Sequence, residues 1–380
     1  MRGSVVKRGN TWSYVVDVGR DPMSGRRRQQ WKGGFPTKRE AERALGRALA
    51  AVGAGAVPDA GRLTVGAYFD QWLAGHVPSL KPSTAKSYRE VVQWYVQPAL
   101  GRVKLVDLNA LLIRSLYADL LVRGGRRKRA GLSPATVAVV HRVLRKALND
   151  AVLWGLLVRS PLLGVKPPRH TRPEMHAWSP DEARRFLRFA EDDRLYGLWV
   201  LVLATGMRRG ELAGLRWADV DLEAGVLAVR RSRVSVAYAV DESDPKTRSS
   251  RRTISLDARV IVVMRAYRRL QLEERLAWGP AWTDTGYVFT REDGYPLHPE
   301  RITVLFGRLV ESSGLSKVRL HDLRHTSASL MLAAGVHPKI VSERLGHSST
   351  SITLDLYSHV IPGLQEEAAA KLGEMILGDR

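Results

Sequence analysis

LGHSSTSITLDLYSH, Leu345 to His359, sets a histidine and a tyrosine ten residues apart on what reads as short polar helix. Few of its residues are apolar enough to build a core, so His347 and Tyr357 call for a chemical explanation rather than a packing one. Three stretches upstream share this character: ATGMRRGEL (Ala204–Leu212), DPKTRSSRRTISL (Asp244–Leu256) and LHDLRHTSASL (Leu320–Leu330). Each alone is commonplace. An Arg beside a Gly, a Lys in a hairpin and an H-x-x-R on a helix all occur on ordinary surfaces.

Composition limits what the four stretches can belong to. A chain of 380 residues with 44% hydrophobic content has room for two or three domains with sizeable cores. It holds no cysteine, which removes disulfides and thiolate metal sites and fits a reducing cytoplasm. The start, MRGSVVKRGN, has charges where a secretion signal needs an apolar run. The longest apolar stretch, Tyr196–Ala204, is too short to cross a bilayer, so the expectation is a cytoplasmic protein with no membrane partner.

The net charge of +22 is spread unevenly. Residues 1–60 carry 12 Lys/Arg against 5 Asp/Glu, residues 61–170 carry 18 against 5, and residues 171–380 carry 30 against 28. This is the pattern of N-terminal modules that neutralise a polyanion, joined to a nearly neutral module with another task.

The chain divides accordingly. Residues 1–55 read as three strands and a helix: Val5–Arg8 and Trp12–Val18 flank a Gly9-Asn10 hairpin, Arg26–Trp31 follows, and Thr37-Lys38-Arg39-Glu40 is a capping box opening a helix. Ala41, Ala44, Leu45, Ala48 and Leu49 form one apolar face of that helix. Val52–Gly61 reads as a linker. Residues 62–165 read as all-helical, with starts at Thr64, Ser83, Asn109 and Ser133-Pro134, and with Val137, Val140, Leu144, Leu148 and Ala151 at core spacing on the last helix. Ser160–Pro173 is a second, proline-rich linker. Residues 172–380 open on a capping box, Ser179–Glu182, and mix helices with short strands at Val226–Arg230, Val234–Tyr238, Arg252–Leu256 and Tyr287–Thr290. After Pro362-Gly363, Leu364–Leu377 resumes as an amphipathic helix with Leu364, Ala368, Leu372 and Met375 on one side. The fold class expected is multidomain and mainly α, with small antiparallel sheets (α+β).

In order, spacing and flanking residues, the four polar stretches together resemble the tyrosine recombinases, the phage-type integrase family, over residues 172–362. The resemblance implies a mixed α/β catalytic domain in which Arg208 is the first arginine and Glu211 its acidic neighbour. Lys246 becomes the strand-borne lysine, His321 and Arg324 the H-x-x-R pair, His347 the next histidine and Tyr357 the nucleophile. It implies cleavage and rejoining of double-stranded DNA at specific sites through a 3′-phosphotyrosyl link, for integrating and excising a mobile element. It also implies an arm-binding domain at 1–55, a core-binding domain at 62–165, a homo-tetramer on DNA and a tail helix docked on a neighbouring protomer, and it leaves room for a directionality factor that the sequence does not identify. No cofactor and no metal are expected. DNA contacts are assigned to Arg26, Arg27, Arg28, Lys81, Lys86, Arg126, Arg127, Lys128, Arg129 and Arg142, with the GGRRKRAG loop read as phosphate-binding.

The residue types suit that reaction on their own account. In-line attack on a phosphodiester adds negative charge at phosphorus, and two planar guanidiniums can grip both non-bridging oxygens in a way lysine cannot copy. Such donors are worth about 3–4 kcal/mol each in comparable oxyanion sites. A phenol, with a pKa near 10, needs nearby cations or a base in order to attack. His321 suits the proton acceptor, His347 a hydrogen-bond donor to phosphate, and Lys246 the acid that protonates the departing 5′ oxygen. Two rivals stay open at this point: a topoisomerase-like enzyme that nicks and reseals one duplex, and a non-catalytic DNA-binding regulator on the same scaffold.

Overall fold

The computed structural model describes residues 3–20, 27–53, 62–125, 130–170, 176–236, 239–243, 251–347, 353–354 and 364–378. They belong to two units, Met1–Arg172 and Pro173–Arg380. Among the described residues no helix is long and apolar enough to cross a membrane.

In the first unit, β1 (Gly3–Arg8), β2 (Thr11–Arg20) and β3 (Arg27–Phe35) form an antiparallel sheet in that order. The third strand runs beyond the expected Trp31. Register places Val5 opposite Tyr14, and these pack with Val16 and Phe35 against the expected apolar face of α1 (Lys38–Gly53). The Thr37 hydroxyl accepts the Glu40 amide at 3.3 Å, which is the capping half of the expected box. On the opposite face Val15 pairs with Trp31, the Arg8 guanidinium lies 4.4 Å from the Trp31 ring, and Arg27 pairs with Asp17 at 2.6 Å.

The helical part holds α2 (Val65–His76), α3 (Pro82–Val91), α4 (Gln97–Leu100), α5 (Ala110–Arg123) and α6 (Pro134–Leu153). Thr64, Asn109 and Ser133 cap α2, α5 and α6 as expected. The start expected at Ser83 is corrected: Lys81 is the N-cap and Pro82 the first helical residue, because a residue before proline is driven into the extended region. Between α3 and α4, Val92–Val96 widens into a π-helical turn in which the Gln97 amide reaches back to Val92 O. Pro98 has no amide to continue the α pattern, so the turn upstream loosens. Trp72, Phe69 and Tyr68 sit in the core with Val137, Val140, Leu144, Leu148 and Ala151 from α6.

The second unit begins with α7 (Pro180–Phe189), whose Ser179–Glu182 capping box forms in both directions. α8 (Tyr196–Thr205) is apolar on all sides and runs through the core, between Trp178, Phe186 and Phe306 on one side and Tyr267 on another. Next come α9 (Arg209–Ala213), β4 (Val220–Asp221), β5 (Val226–Val229), β6 (Ser232–Val236), β7 (Ala239–Ser243) and β8 (Arg252–Ser255). β4, β5 and β8 make one antiparallel sheet, and β6 with β7 a separate hairpin. The remaining helices are α10 (Ala258–Trp278), α11 (Pro299–Ser312), α12 (Asp322–Ala333), α13 (Pro338–Leu345) and α14 (Leu364–Leu377).

The strand expected at Tyr287–Thr290 is not one. Tyr287 and Thr290 make single bridges, to Arg216 and Pro296, while the Gln271 side chain takes up the carbonyls of Tyr287 and Val288. The segment is extended, but its hydrogen bonds go to turns and a side chain rather than to a ladder.

Candidate active site

Arg208 follows α8 because of Gly206. At φ +61 this glycine ends α8 in the left-handed region, and a Cβ there would lie 2.3 Å from Leu345 Cδ2. The turn therefore presses directly on the end of α13. Glu211, three residues on, accepts the Arg208 amide at 2.9 Å and Arg208 Nη1 at 2.8 Å, while Arg208 Nη2 donates to Gly346 O at 2.9 Å.

Glu211 is 4% exposed and is shared. Arg252, the first residue of β8, donates to both of its oxygens at 3.2 and 2.9 Å and sends Nε to Arg344 O at 2.6 Å. Burial works against the Glu211 charge, but the hydrogen bonds from Arg252 and Arg208 prevail and hold the carboxyl below the ordinary carboxylate range. Arg344 closes the ring by donating to Ser255 O and Ala204 O. One buried carboxylate thus fixes two guanidiniums, and both of them grip the end of α13, next to His347.

Arg324 reaches the same place from α12. It is 3% exposed, Nη1 donates to Gly206 O at 2.8 Å, and Nη2 is buried with no hydrogen-bond partner among the described residues. Burial first, and Arg208 next, push its pKa down to about 9, still a cation at neutral pH. Burial away from water is the larger cause and the neighbouring guanidinium the smaller, and an anion brought into the cluster would offset both.

His321 precedes α12 and His347 follows the left-handed Gly346. Burial, then the arginines, push His347 down to about 4, and burial with Arg324 lowers His321. Both imidazoles are neutral near pH 7. His347 Nδ1 lies 2.8 Å from the Thr353 hydroxyl.

The structure therefore brings together five of the seven residues singled out in the sequence: Arg208, Glu211, His321, Arg324 and His347. Lys246 and Tyr357 lie outside the described residues. Arg252, Arg344 and Thr353 were missed as members of the cluster. Arg252 stood in a quoted stretch but was overshadowed by Lys246, and nothing local marks it as the second partner of Glu211.

Of the residues assigned to DNA, Arg26 and Arg126–Arg129 lie outside the described residues, and Arg28 is described only as part of β3. Lys81 caps α3, Lys86 stands 3.9 Å from Glu90, and Arg142 is exposed on α6.

Comparison with known proteins identifies the family. Residues 178–362 match the phage integrase family, residues 4–51 an arm DNA-binding domain, and residues 64–121 the SAM-like N-terminal domain of phage integrases. The chain is 30% identical over 393 residues to a XerC-like tyrosine recombinase of Caldanaerobacter subterraneus subsp. tengcongensis, covering 98% of each. It is also 30% identical over 371 residues to an integrase of Streptomyces ambofaciens, covering 95% of this chain and 93% of that one. Among solved structures, the Tn1549 transposon integrase with transposon right end DNA shares the fold at TM-score 0.67 and 23% identity, over 83% of this chain and 100% of that one. A lambda integrase dimer on a core site does so at TM-score 0.58 and 18% identity, over 93% and 94%. With its Arg208–Glu211–Arg252 cluster beside Arg324 and two neutral histidines, the chain belongs to the phage integrase family of tyrosine recombinases, which cleave and rejoin DNA at specific sites.

Proposed function

We propose that this cluster holds the scissile phosphate of a recombination site while Tyr357 attacks it. The observation that carries the reading is Arg324 Nη2, a buried cationic donor with no partner among the described residues, beside a second guanidinium. Leaving such a donor unmatched is costly, and a phosphate oxygen matches it in both charge and geometry.

Arg208 and Arg324 take the two non-bridging oxygens. The Tyr357 oxygen forms the bond to phosphorus, its proton passes to the neutral His321, and the 5′ oxygen leaves with a proton from Lys246. If the Thr353 hydroxyl donates to His347 Nδ1, the ring proton sits on Nε2, where it can meet the phosphate. The 3′-phosphotyrosyl link keeps the energy of the broken bond, so rejoining to another 5′ hydroxyl needs no nucleotide.

Residues 64–165 and 172–362 hold the core site, and residues 1–55 read an arm site through the β-face that carries Arg8 and Trp31. Four protomers act together, as in the lambda integrase tetramer on a Holliday junction. Leu372, Met375, Ile376 and Leu377 of α14 are exposed, which suits docking on a neighbouring protomer. A directionality factor chooses between integration and excision, and the protein acts in the cytoplasm, where the DNA is.

The test is a nicked core-site duplex that traps the covalent intermediate. A protein–DNA adduct is expected with the natural chain and none with Tyr357→Phe. An adduct that persists in Tyr357→Phe would contradict the reading.

A further inference from the structure

Beyond the phosphate cluster, the second unit holds another concentration of charge, at the foot of the β6–β7 hairpin. Glu242 on β7 accepts hydrogen bonds from the Tyr287 hydroxyl and from Arg216 Nη2, the latter at 3.1 and 3.2 Å, and stands 3.5 Å from Arg231 Nε. Asp219 holds Arg231 in turn at 2.7 Å. The guanidiniums of Arg216 and Arg233 lie 4.7 and 4.8 Å from the centre of the Tyr287 ring. None of these residues has a part in the reaction described above.

What sets the cluster apart is its place in the chain. Glu242 lies four residues before Lys246, and four residues span at most about 14 Å. Fixing Glu242 therefore limits where the lysine can go. The hairpin needs fixing, because among the described residues it is a separate two-stranded sheet with no ladder to β4, β5 or β8, and an isolated pair of strands is marginal. β6 is docked through its backbone and through Arg233: Gly210 lets the strand lie against α9, where a Cβ would come within 2.9 Å of Arg233 O, and Arg233 Nη1 donates to Ala213 O and Leu297 O. β7 is tied down by the carboxylate of Glu242. On the far side of Lys246 the chain is fixed again at Arg252.

We propose that Glu242 is a positioning residue for Lys246, holding the strand that delivers the lysine to the departing 5′ oxygen. The assignment rests on the reading of Lys246 as proton donor to that oxygen, and the experiment separates the two. It compares an ordinary nicked substrate with one in which sulfur replaces the bridging 5′ oxygen. A thiol, with a pKa near 8.5 as in cysteine, departs as thiolate and needs no proton, so loss of the acid is silent on the sulfur substrate.

Lys246→Ala is expected to cleave the oxygen substrate about 10²- to 10⁴-fold more slowly and to recover on sulfur. Glu242→Gln is expected to slow cleavage of oxygen DNA about tenfold or more with DNA affinity and Tm near those of the parent, and likewise to recover on sulfur. Tyr287→Phe, which removes one donor to Glu242, should show the same pattern with a smaller loss. Parental cleavage by Glu242→Gln, or a defect that persists on sulfur while Lys246→Ala recovers, overturns the Glu242 assignment alone. If Lys246→Ala itself fails to recover, the reading of Lys246 falls and the Glu242 assignment falls with it.

Discussion

Residues 1–170 and 171–380 carry the same number of cations, 30 Lys and Arg each, but 10 carboxylates against 28. In the first region Arg142 is exposed, and Lys86 meets Glu90 only at 3.9 Å. In the second, Arg208 and Arg252 are fixed by a single buried glutamate, and Arg324 by a backbone carbonyl. Unbalanced surface charge attracts a polyanion anywhere along its length, through release of counterions. Charge pinned by hydrogen-bond partners is costly to assemble but does not move, which suits an oxyanion that must meet its donors at one point. Under the proposed function the same side chain would serve affinity in one region and chemistry in the other, and burial against fixed partners would tell the two apart.

The contrast is sharpest in substitutions that keep the charge. Arg324→Lys should slow formation of the covalent adduct about 10²- to 10³-fold while leaving the salt dependence of DNA binding unchanged, since lysine keeps the charge but loses the planar fork. A large change in affinity without a change in rate would place Arg324 with the surface cations.

Glu211→Gln should destabilise the second unit by about 3 kcal/mol, because it leaves Arg252 and Arg208 without their counter-charge. Thermal unfolding measures this, and pH sharpens it. The folded-state pKa of Glu211 is depressed, so its contribution is present above the ordinary value of 4.5 and is lost as pH falls below it. The variant should lack that limb. An unchanged Tm would mean the carboxylate does not hold the arginines.

In the first region Arg142→Gln should reduce the slope of log affinity against log salt by about 1, with the cleavage rate at saturating DNA unaffected. The histidines give a smaller signal. His347, pushed down to about 4, should show no imidazole titration between pH 5 and 8 in the free protein by NMR. As pH drops from 6.5 towards 4 the unfolded chain takes up protons that the folded site refuses, so stability should decline across that window. His347→Asn should flatten the decline.

Local chemistry was legible in the sequence wherever one residue decides a backbone outcome. The caps at Thr64, Asn109, Ser133 and Ser179 were read directly, as was the apolar face of α1. The candidate site residues were assigned through the family resemblance rather than from turns or periodicity, and the five that meet stand where α9, α12 and α13 begin or end. β7 escaped notice because AVDES carries its charges for the sake of side-chain ties rather than an apolar face. Tyr287–Thr290 looked like a strand because it is buried and β-prone, yet its partners are the Gln271 side chain and single bridges to Arg216 and Pro296. Arg252 escaped for the same reason: its role is set by Glu211, 41 residues away, and by a carbonyl 92 residues away.

The central claim is that the buried donor of Arg324 exists to carry negative charge on the scissile phosphate. It is tested most directly by giving Arg324→Ala a core-site duplex whose scissile phosphate is replaced by an uncharged methylphosphonate. Adduct formation through Tyr357 is expected to recover on the neutral substrate while remaining depressed on ordinary DNA, because the charge the arginine served is gone. Equal failure on both substrates, in a variant that still folds and binds DNA, would contradict it.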